Sequence, residues 1–545
     1  MDGKTFMLDT IIKNGTIVDG TGRLRYKADI GIQDGHIRII GKIQDASAKH
    51  LIDASTLIIA PGFIDMHSHS DMSLFDDPGG ESKAFQGVTT EVTGNCSYSA
   101  FPIAKDRKGD LGMGSMDWPV EWEWNDLDGW ANALESKGIS INIAPQLGQA
   151  ALQVAVGAVE ERPVTKDEMK EMQKLAEESI EQGAFALSTG LSLSPSGYMQ
   201  TAEVSELMKV LSKYEGVFYV THSRFGAGKH VSAIEEAVEI GKTASVPVHY
   251  SHLAIIARPD LGGWRQPEGL RGHGPEMLEV FENAKDNGMD ITYDTYPFTA
   301  AGAGVDQLVP IWAQAGGTET YMQRLKTQTT RDAIRKEVAA GTGGVPPCFD
   351  TWVISDVESA KNQSLVGQSI AEIAKQRDVD PAEATLQLEE EERGAISAVV
   401  HGRAERDVEY FLSHPIGMIG SDGNAVSPSG SQSQKQIHPR FYGTYPRILG
   451  RYVRERSLIS LETAIRKMTG MPAARLGMND RGQVLEGFVA DLVLFDQKKI
   501  IDHSTFDKPH QLSEGVQYLL VNGEHVISNG VHTQSRAGRV LRRSK

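Results

Sequence analysis

Over its first sixty residues the chain alternates short β-rich runs with turn dipeptides. Thr10-Ile11-Ile12-Lys13 leads into Asn14-Gly15 and then Thr16-Ile17-Val18-Asp19. Ala28-Asp29-Ile30-Gly31-Ile32 leads to Asp34-Gly35 and then His36-Ile37-Arg38-Ile39-Ile40. Asn-Gly and Asp-Gly supply the positive φ of tight two-residue loops, so both are predicted as hairpins. The far C-terminus has the same texture: Ala490-Asp491-Leu492-Val493-Leu494-Phe495, then Gln517-Tyr518-Leu519-Leu520-Val521 before Asn522-Gly523. Residues 1–60 and 480–545 are therefore expected to share one small β-sandwich domain.

The middle alternates strand-like and helix-like segments. Strand candidates are Ser140–Ala144, Phe185–Ser188, Val217–His222, Val246–His252 and Asp290–Asp294. Between them lie apolar residues at helical spacing, over Thr165–Gln182 (with Thr165 as N-cap), Glu203–Tyr214, Ser232–Thr243 and Gly274–Asn287. Repeated βα units give a parallel sheet. Roughly eight of them predict an α/β fold of the (β/α)8 TIM-barrel type over residues 61–479. A segment at about 306–400 breaks the rhythm and is read as an insertion.

One strand ends in chemistry. The apolar run Leu57-Ile58-Ile59-Ala60 continues into Pro61-Gly62-Phe63-Ile64-Asp65-Met66-His67-Ser68-His69. Read as one buried strand, it places His67 and His69 on the same face, where both can reach one metal ion. Other candidate ligands also close strands: Cys96 after Val88–Asn95, His222, His252, and Asp422 after Gly417–Ser421. Barrel enzymes carry their chemistry at the C-terminal strand ends. Taken singly, a buried histidine is a core residue, a cysteine a small hydrophobe and a strand-end aspartate a helix cap. Six together at one barrel mouth point to a divalent metal, and imidazole, thiolate and carboxylate suit Zn²⁺.

Composition narrows the function. There are 72 acidic against 55 basic residues, a net charge of −17, which repels phosphate backbones and argues against nucleic acid as a partner. The basic cluster Arg536, Arg539, Arg542, Arg543 and Lys545 is read as a solvated tail. Two cysteines, Cys96 and Cys348, cannot form a disulfide framework. No run of about 18 apolar residues predicts a membrane span. Met1-Asp2-Gly3-Lys4 lacks a secretory pattern, so a cytoplasmic location is expected.

Pro61–His69 resembles the first-strand signature of the amidohydrolase superfamily. Gln86-Gly87-Val88-Thr89-Thr90-Glu91-Val92-Thr93-Gly94-Asn95-Cys96 is similar to its D-aminoacylase (N-acyl-D-amino-acid deacylase) branch, in which a cysteine replaces a bridging lysine carboxylate. Further similar stretches are Leu187–Leu191, Thr221-His222-Ser223-Arg224, Ser251-His252-Leu253, Tyr296–Ala300, Ile419–Gly423, His438-Pro439-Arg440, Met471–Gly477 and Gly487–Val493, over nearly the whole chain. The resemblance implies a tight zinc at Cys96, His222 and His252. It implies a weaker second site at His67 and His69 with Cys96 bridging and Asp422 nearby. It makes Asp422 the general base and Arg440, Tyr296 and Arg224 the substrate-binding residues. It also marks departures. Ala254 stands where the branch has a lysine for the substrate carboxylate, Gly148-Gln149-Ala150 where it has Gly-His-Gly, and the loop from Asp422 to His438 is longer.

The expected activity is zinc-dependent hydrolysis of the amide bond of N-acyl-D-amino acids or related N-acyl compounds, a small-molecule substrate. A hydantoinase- or dihydroorotase-like cyclic amide hydrolase is the alternative, and a non-catalytic scaffold of the same fold a more distant one. Homo-oligomerisation stays open.

Overall fold

The structure, a computed structural model, describes residues 7–44, 46–103, 107, 111, 118, 120–224, 226, 229–255, 274–341 and 344–544. Residues 1–4 and Lys545, used above, lie outside these.

Strands β1 (Met7–Ile17), β2 (Tyr26–Gln33), β3 (His36–Gly41), β4 (Ser47–Asp53) and β5 (Ile58–Pro61) open the chain. The Asp34-Gly35 hairpin forms, with φ of 51° and 73°, and sets Gln33 opposite His36. The Asn14-Gly15 hairpin does not. β1 runs straight through it, and its ladder with β2 shifts register between Ile12 and Gly15. The buried Asp29 carboxylate explains this: Oδ1 accepts the Asn14 N–H at 2.9 Å and Oδ2 the Lys13 ammonium at 3.1 Å. The turn residues, with Asn14 at φ 64°, thus settle into a bulge inside one strand.

The apolar run before the histidines also divides. β5 pairs with β1, but β6 (Phe63–Asp65) belongs to a different sheet. Gly62 permits the switch, since a Cβ there would lie 2.2 Å from the Thr89 side chain. His67 and His69 therefore do not end a continuous strand begun at Leu57; they follow the three-residue β6.

β6 pairs in parallel with β7 (Val88–Thr93), and β7 with β8 (Asn142–Pro145). A second parallel set runs β9 (Leu147–Gly148), β10 (Ala186–Gly190), β11 (Phe218–His222), β12 (Val248–Tyr250) and β13 (Ile291–Thr295). Only Gln146 separates β8 from β9. Strands β14 (Ala300–Gly304), β15 (Trp352–Val357) and β16 (Ile396–His401) then form a separate antiparallel sheet, which begins at β14, ahead of the segment 306–400 read as an insertion. β17 (Gly417–Ile419) returns to pair with β13. Beyond β17 the chain meets the end of β6: Ser68 bridges Gly423 in parallel, and the Asp422 N–H donates to the His67 carbonyl at 2.8 Å. Ile64, Met66, Val92, Ala144, Ala186, Val220 and Met418 pack together as a core beneath these strand ends. Helices intervene between strands as expected. Lys166–Glu181 starts on a full capping box, Thr165 with Glu168.

The chain closes with β18 (Leu492–Phe495), β19 (Val516–Val521), β20 (Glu524–Ser528) and β21 (Val531–His532). β18 pairs antiparallel with β5, so both termini share one nine-stranded sheet. Asn522-Gly523 makes the expected turn between β19 and β20. The basic C-terminal segment is not a solvated tail. Val540 is buried and bridges Ile143, while Arg536 donates to Ser140 Oγ and Arg542 pairs with Asp128. Its hydrophobic anchor and backbone bonds hold the charges down as a strap. No helix among the described residues is long and apolar enough to cross a membrane.

Candidate active site

All six strand-end residues converge. His67, His69, Cys96 and Asp422 form one group, and Cys96, His222 and His252 another, with ligand atoms within 4.8 Å of one another in each. Cys96 belongs to both. Its Sγ lies 3.3 Å from His67 Nε2 and 3.4 Å from His252 Nε2. His222 Nδ1 approaches His252 Nε2 at 2.8 Å, and His69 Nε2 approaches Asp422 Oδ1 at 3.0 Å.

The backbone is bent to make this possible. Cys96, His252 and Asp422 have φ of 53°, 35° and 53°, a region ordinary side chains avoid. Strain of this kind persists only where the surroundings enforce it. Here the Asp294 carboxylate accepts the His252 N–H at 3.0 Å, and the His67 carbonyl accepts that of Asp422.

The charges in the cluster want a cation. Burial alone would push the Cys96 thiol up, yet His67, His252 and His222 hold it well below the ordinary thiol range. Burial would likewise raise Asp422, but the Arg440 charge and His69 keep it well below the usual carboxylate range. Burial disfavours a charged His69, and its contacts to Asp422 and Cys96 still raise it to about 9. Buried anions that bind protons on neighbouring imidazoles are anions that a metal would satisfy. His69 Nδ1 is buried without a hydrogen-bond partner among the described residues. One thiolate, four imidazoles and a carboxylate form a donor set that fits zinc.

Two buried carboxylates outside the sequence-derived set hold this cluster in place. Asp294, one residue short of the end of β13, contacts His67 Nδ1 at 3.4 Å and His249 Nε2 at 3.0 Å. Asp65 accepts the N–H groups of His67 and Ser421 and the Lys83 ammonium at 2.8 Å; Lys83 also pairs with Glu91 at 2.9 Å. The ends of β6 and β17 are thereby tied together just before His67 and Asp422. Asp294 carried the same signal as Asp422, a carboxylate at a strand end. Lys83 lies in an unremarkable helical turn and gave none.

The opposite wall is cationic. Arg440 Nη1 lies 2.7 Å from Asp422 Oδ2 and donates to the Tyr296 hydroxyl at 2.9 Å. Tyr296 and Arg440 are both buried. Arg403, absent from the sequence-derived set, reaches the same hydroxyl at 2.5 Å. Arg224 is not brought to this group. Its guanidinium donates to the carbonyls of Leu191, Gly197 and Met199 and pairs with Glu236, bracing the loop whose Ser192 contacts His222 Nε2 at 2.7 Å.

Residues 50–379 and 413–527 match the amidohydrolase family, and residues 1–62 match the N-terminal domain of the urease alpha-subunit. A D-aminoacylase of Alcaligenes xylosoxydans xylosoxydans is 33% identical over 98% of both chains. The chain belongs to the amidohydrolase family, in its D-aminoacylase branch. Among solved amidohydrolases, an N-acyl-D-glutamate deacylase of Bordetella bronchiseptica, complexed with zinc and a phosphonate mimic of the tetrahedral intermediate, is 30% identical, with a TM-score of 0.80 over 98% of this chain and 100% of that one. A D-aminoacylase studied for its binuclear metal centre, with one-metal activation and second-metal attenuation, is 31% identical, with a TM-score of 0.80 over the same shares.

Proposed function

We propose that the cluster around Cys96 is the active site of a zinc-dependent hydrolase that cleaves the amide bond of N-acyl-D-amino acids or related N-acyl compounds. The observation that carries this reading is Cys96 Sγ standing between two sets of imidazoles with Asp422 alongside. Cys96, His222 and His252 would hold one zinc tightly, and His67 and His69, sharing Cys96, a second more weakly. Zinc supplies Lewis acidity there, lowering the pKa of water and polarising the scissile carbonyl.

The protein's own residues do the rest. Asp422, kept ionised by Arg440, takes the proton of the attacking water and returns it to the leaving amine. Arg440 and Tyr296 hold the substrate carboxylate. Arg224 is left out of the substrate-binding set because its donors are spent on backbone carbonyls and Glu236. The matching fold reading is a (β/α)8 barrel over 61–479, with β17 closing onto β6, and a β-sandwich from 1–60 and 480–545. A reducing cytoplasm suits a thiolate ligand.

A panel of N-acetyl-D-amino acids, their L-enantiomers and hydantoins tests the reading. Release of D-amino acid with hydantoins left intact is expected. Hydantoin opening without N-acetyl-D-amino acid cleavage would favour the cyclic-amide alternative.

A further inference from the structure

The cationic wall carries more positive charge than its neighbours neutralise. Two guanidiniums, Arg403 and Arg440, share one phenol oxygen and one ring, lying 4.3 and 4.9 Å from the Tyr296 centroid. Among the described residues one carboxylate engages this pair, Asp422, through Arg440. His438 adds no charge: burial and the Arg440 charge hold it well below the ordinary histidine range, and its Nδ1 accepts the Arg440 backbone N–H. Among the described residues, Arg403 has no carboxylate partner. Arg440 Nε is buried and has no hydrogen-bond partner among the described residues. An unpaired charge in a partly dry cleft is costly unless something supplies its counter-charge.

Arg403 is fixed, not a wandering surface side chain. It lies two residues past the end of β16, and its N–H donates to the Thr299 carbonyl at 3.0 Å. On the paired strand β14, Gly302 leaves room for Arg440: a Cβ there would lie 3.2 Å from Nη2. The antiparallel sheet β14–β16 therefore contributes to the site through β14 and through the residues that follow β16.

We propose that Arg403 is a specificity-determining residue that binds the substrate's α-carboxylate jointly with Arg440, an inference that rests on the amide-hydrolase reading above. A planar guanidinium offers a carboxylate two parallel hydrogen bonds, and two flanking guanidiniums with one aspartate leave one positive charge to neutralise. The Tyr296 hydroxyl, which accepts from both arginines, keeps its own proton free to donate to the same carboxylate.

The test is binding of a non-hydrolysable phosphonamidate, methylphosphonyl-D-leucine, and of its carboxamide, to zinc-loaded protein. Wild type should favour the acid by about 10- to 100-fold, the scale of a hydrogen-bonded charge. Arg403→Gln should remove most of that preference by weakening the acid, with the amide far less affected, and Arg403→Lys should restore part of it. Arg406→Gln, an exposed arginine packed on Tyr410, should change neither ligand. No acid preference in wild type, an intact preference in Arg403→Gln, or an equal loss for acid and amide would each overturn the assignment, the last marking a merely structural arginine. If wild type hydrolyses no N-acyl-D-amino acid while Arg403→Gln still abolishes the acid preference, the carboxylate role stands and the proposed reaction falls.

Discussion

The metal-facing wall of the cleft and its cationic wall are assembled by different rules. Each metal-facing side chain sits within a few residues of a parallel strand's end, so its direction is set by the strand it follows and its spacing by the neighbouring strand. His222 ends β11, His252 lies just past β12, and Asp422 just past β17. The cationic wall draws Arg440 from the start of a helix, Tyr296 from just after β13 and Arg403 from just after β16 of the antiparallel sheet. One wall is a product of the parallel strands. The other depends on contacts between segments far apart in sequence. The Asp422–Arg440 pair is the point at which the two meet.

The largest expected effect lies wholly on the metal-facing wall. Cys96→Ala should lose bound zinc and activity together. Cys348→Ala should lose neither, since Cys348 belongs to neither group of metal-capable residues. Metal analysis and turnover of both variants check this, and equal losses would erase the distinction between the regions. Next, Asp422→Asn should keep zinc and lower kcat by roughly 10²–10⁴-fold, the range for a lost general base. Near-normal turnover would move the proton-transfer role elsewhere.

A smaller effect reads the coupling between the walls. Arg440 holds the Asp422 carboxyl well below its usual range. The ionised form is the base, so activity is kept above its pKa and lost as pH falls through it. Arg440→Gln removes the main lowering charge, so the acid limb of kcat/KM should move to higher pH, by about one unit. An unmoved limb would mean the two walls act independently.

The same contrast explains what the chain disclosed. Candidate ligands at strand ends are local features: a β-rich run followed by a histidine, cysteine or aspartate is visible without knowing the fold. Gly62 was visible but not its consequence, because a strand switch depends on how closely Thr89 on β7 approaches. Asn14-Gly15 carried a true hairpin signal that the distant carboxylate of Asp29 converts into a bulge. Arg403 follows one strand of a sheet whose partners, β14 and β15, are far away in sequence. Periodicity cannot register such pairing, and a single arginine in a loop has no local signature. Arg224 was misdirected by its place beside His222; adjacency in sequence did not specify which way a long side chain would turn.

The central claim is that the Cys96 cluster does its work through zinc. Exhaustive chelation followed by zinc titration, with release of D-leucine from N-acetyl-D-leucine as the readout, tests it most directly. Metal-free protein should be inactive, and activity should return to its maximum at about one zinc per chain, as expected for one site with three strong protein ligands. Undiminished turnover in protein shown to contain no metal would contradict the account.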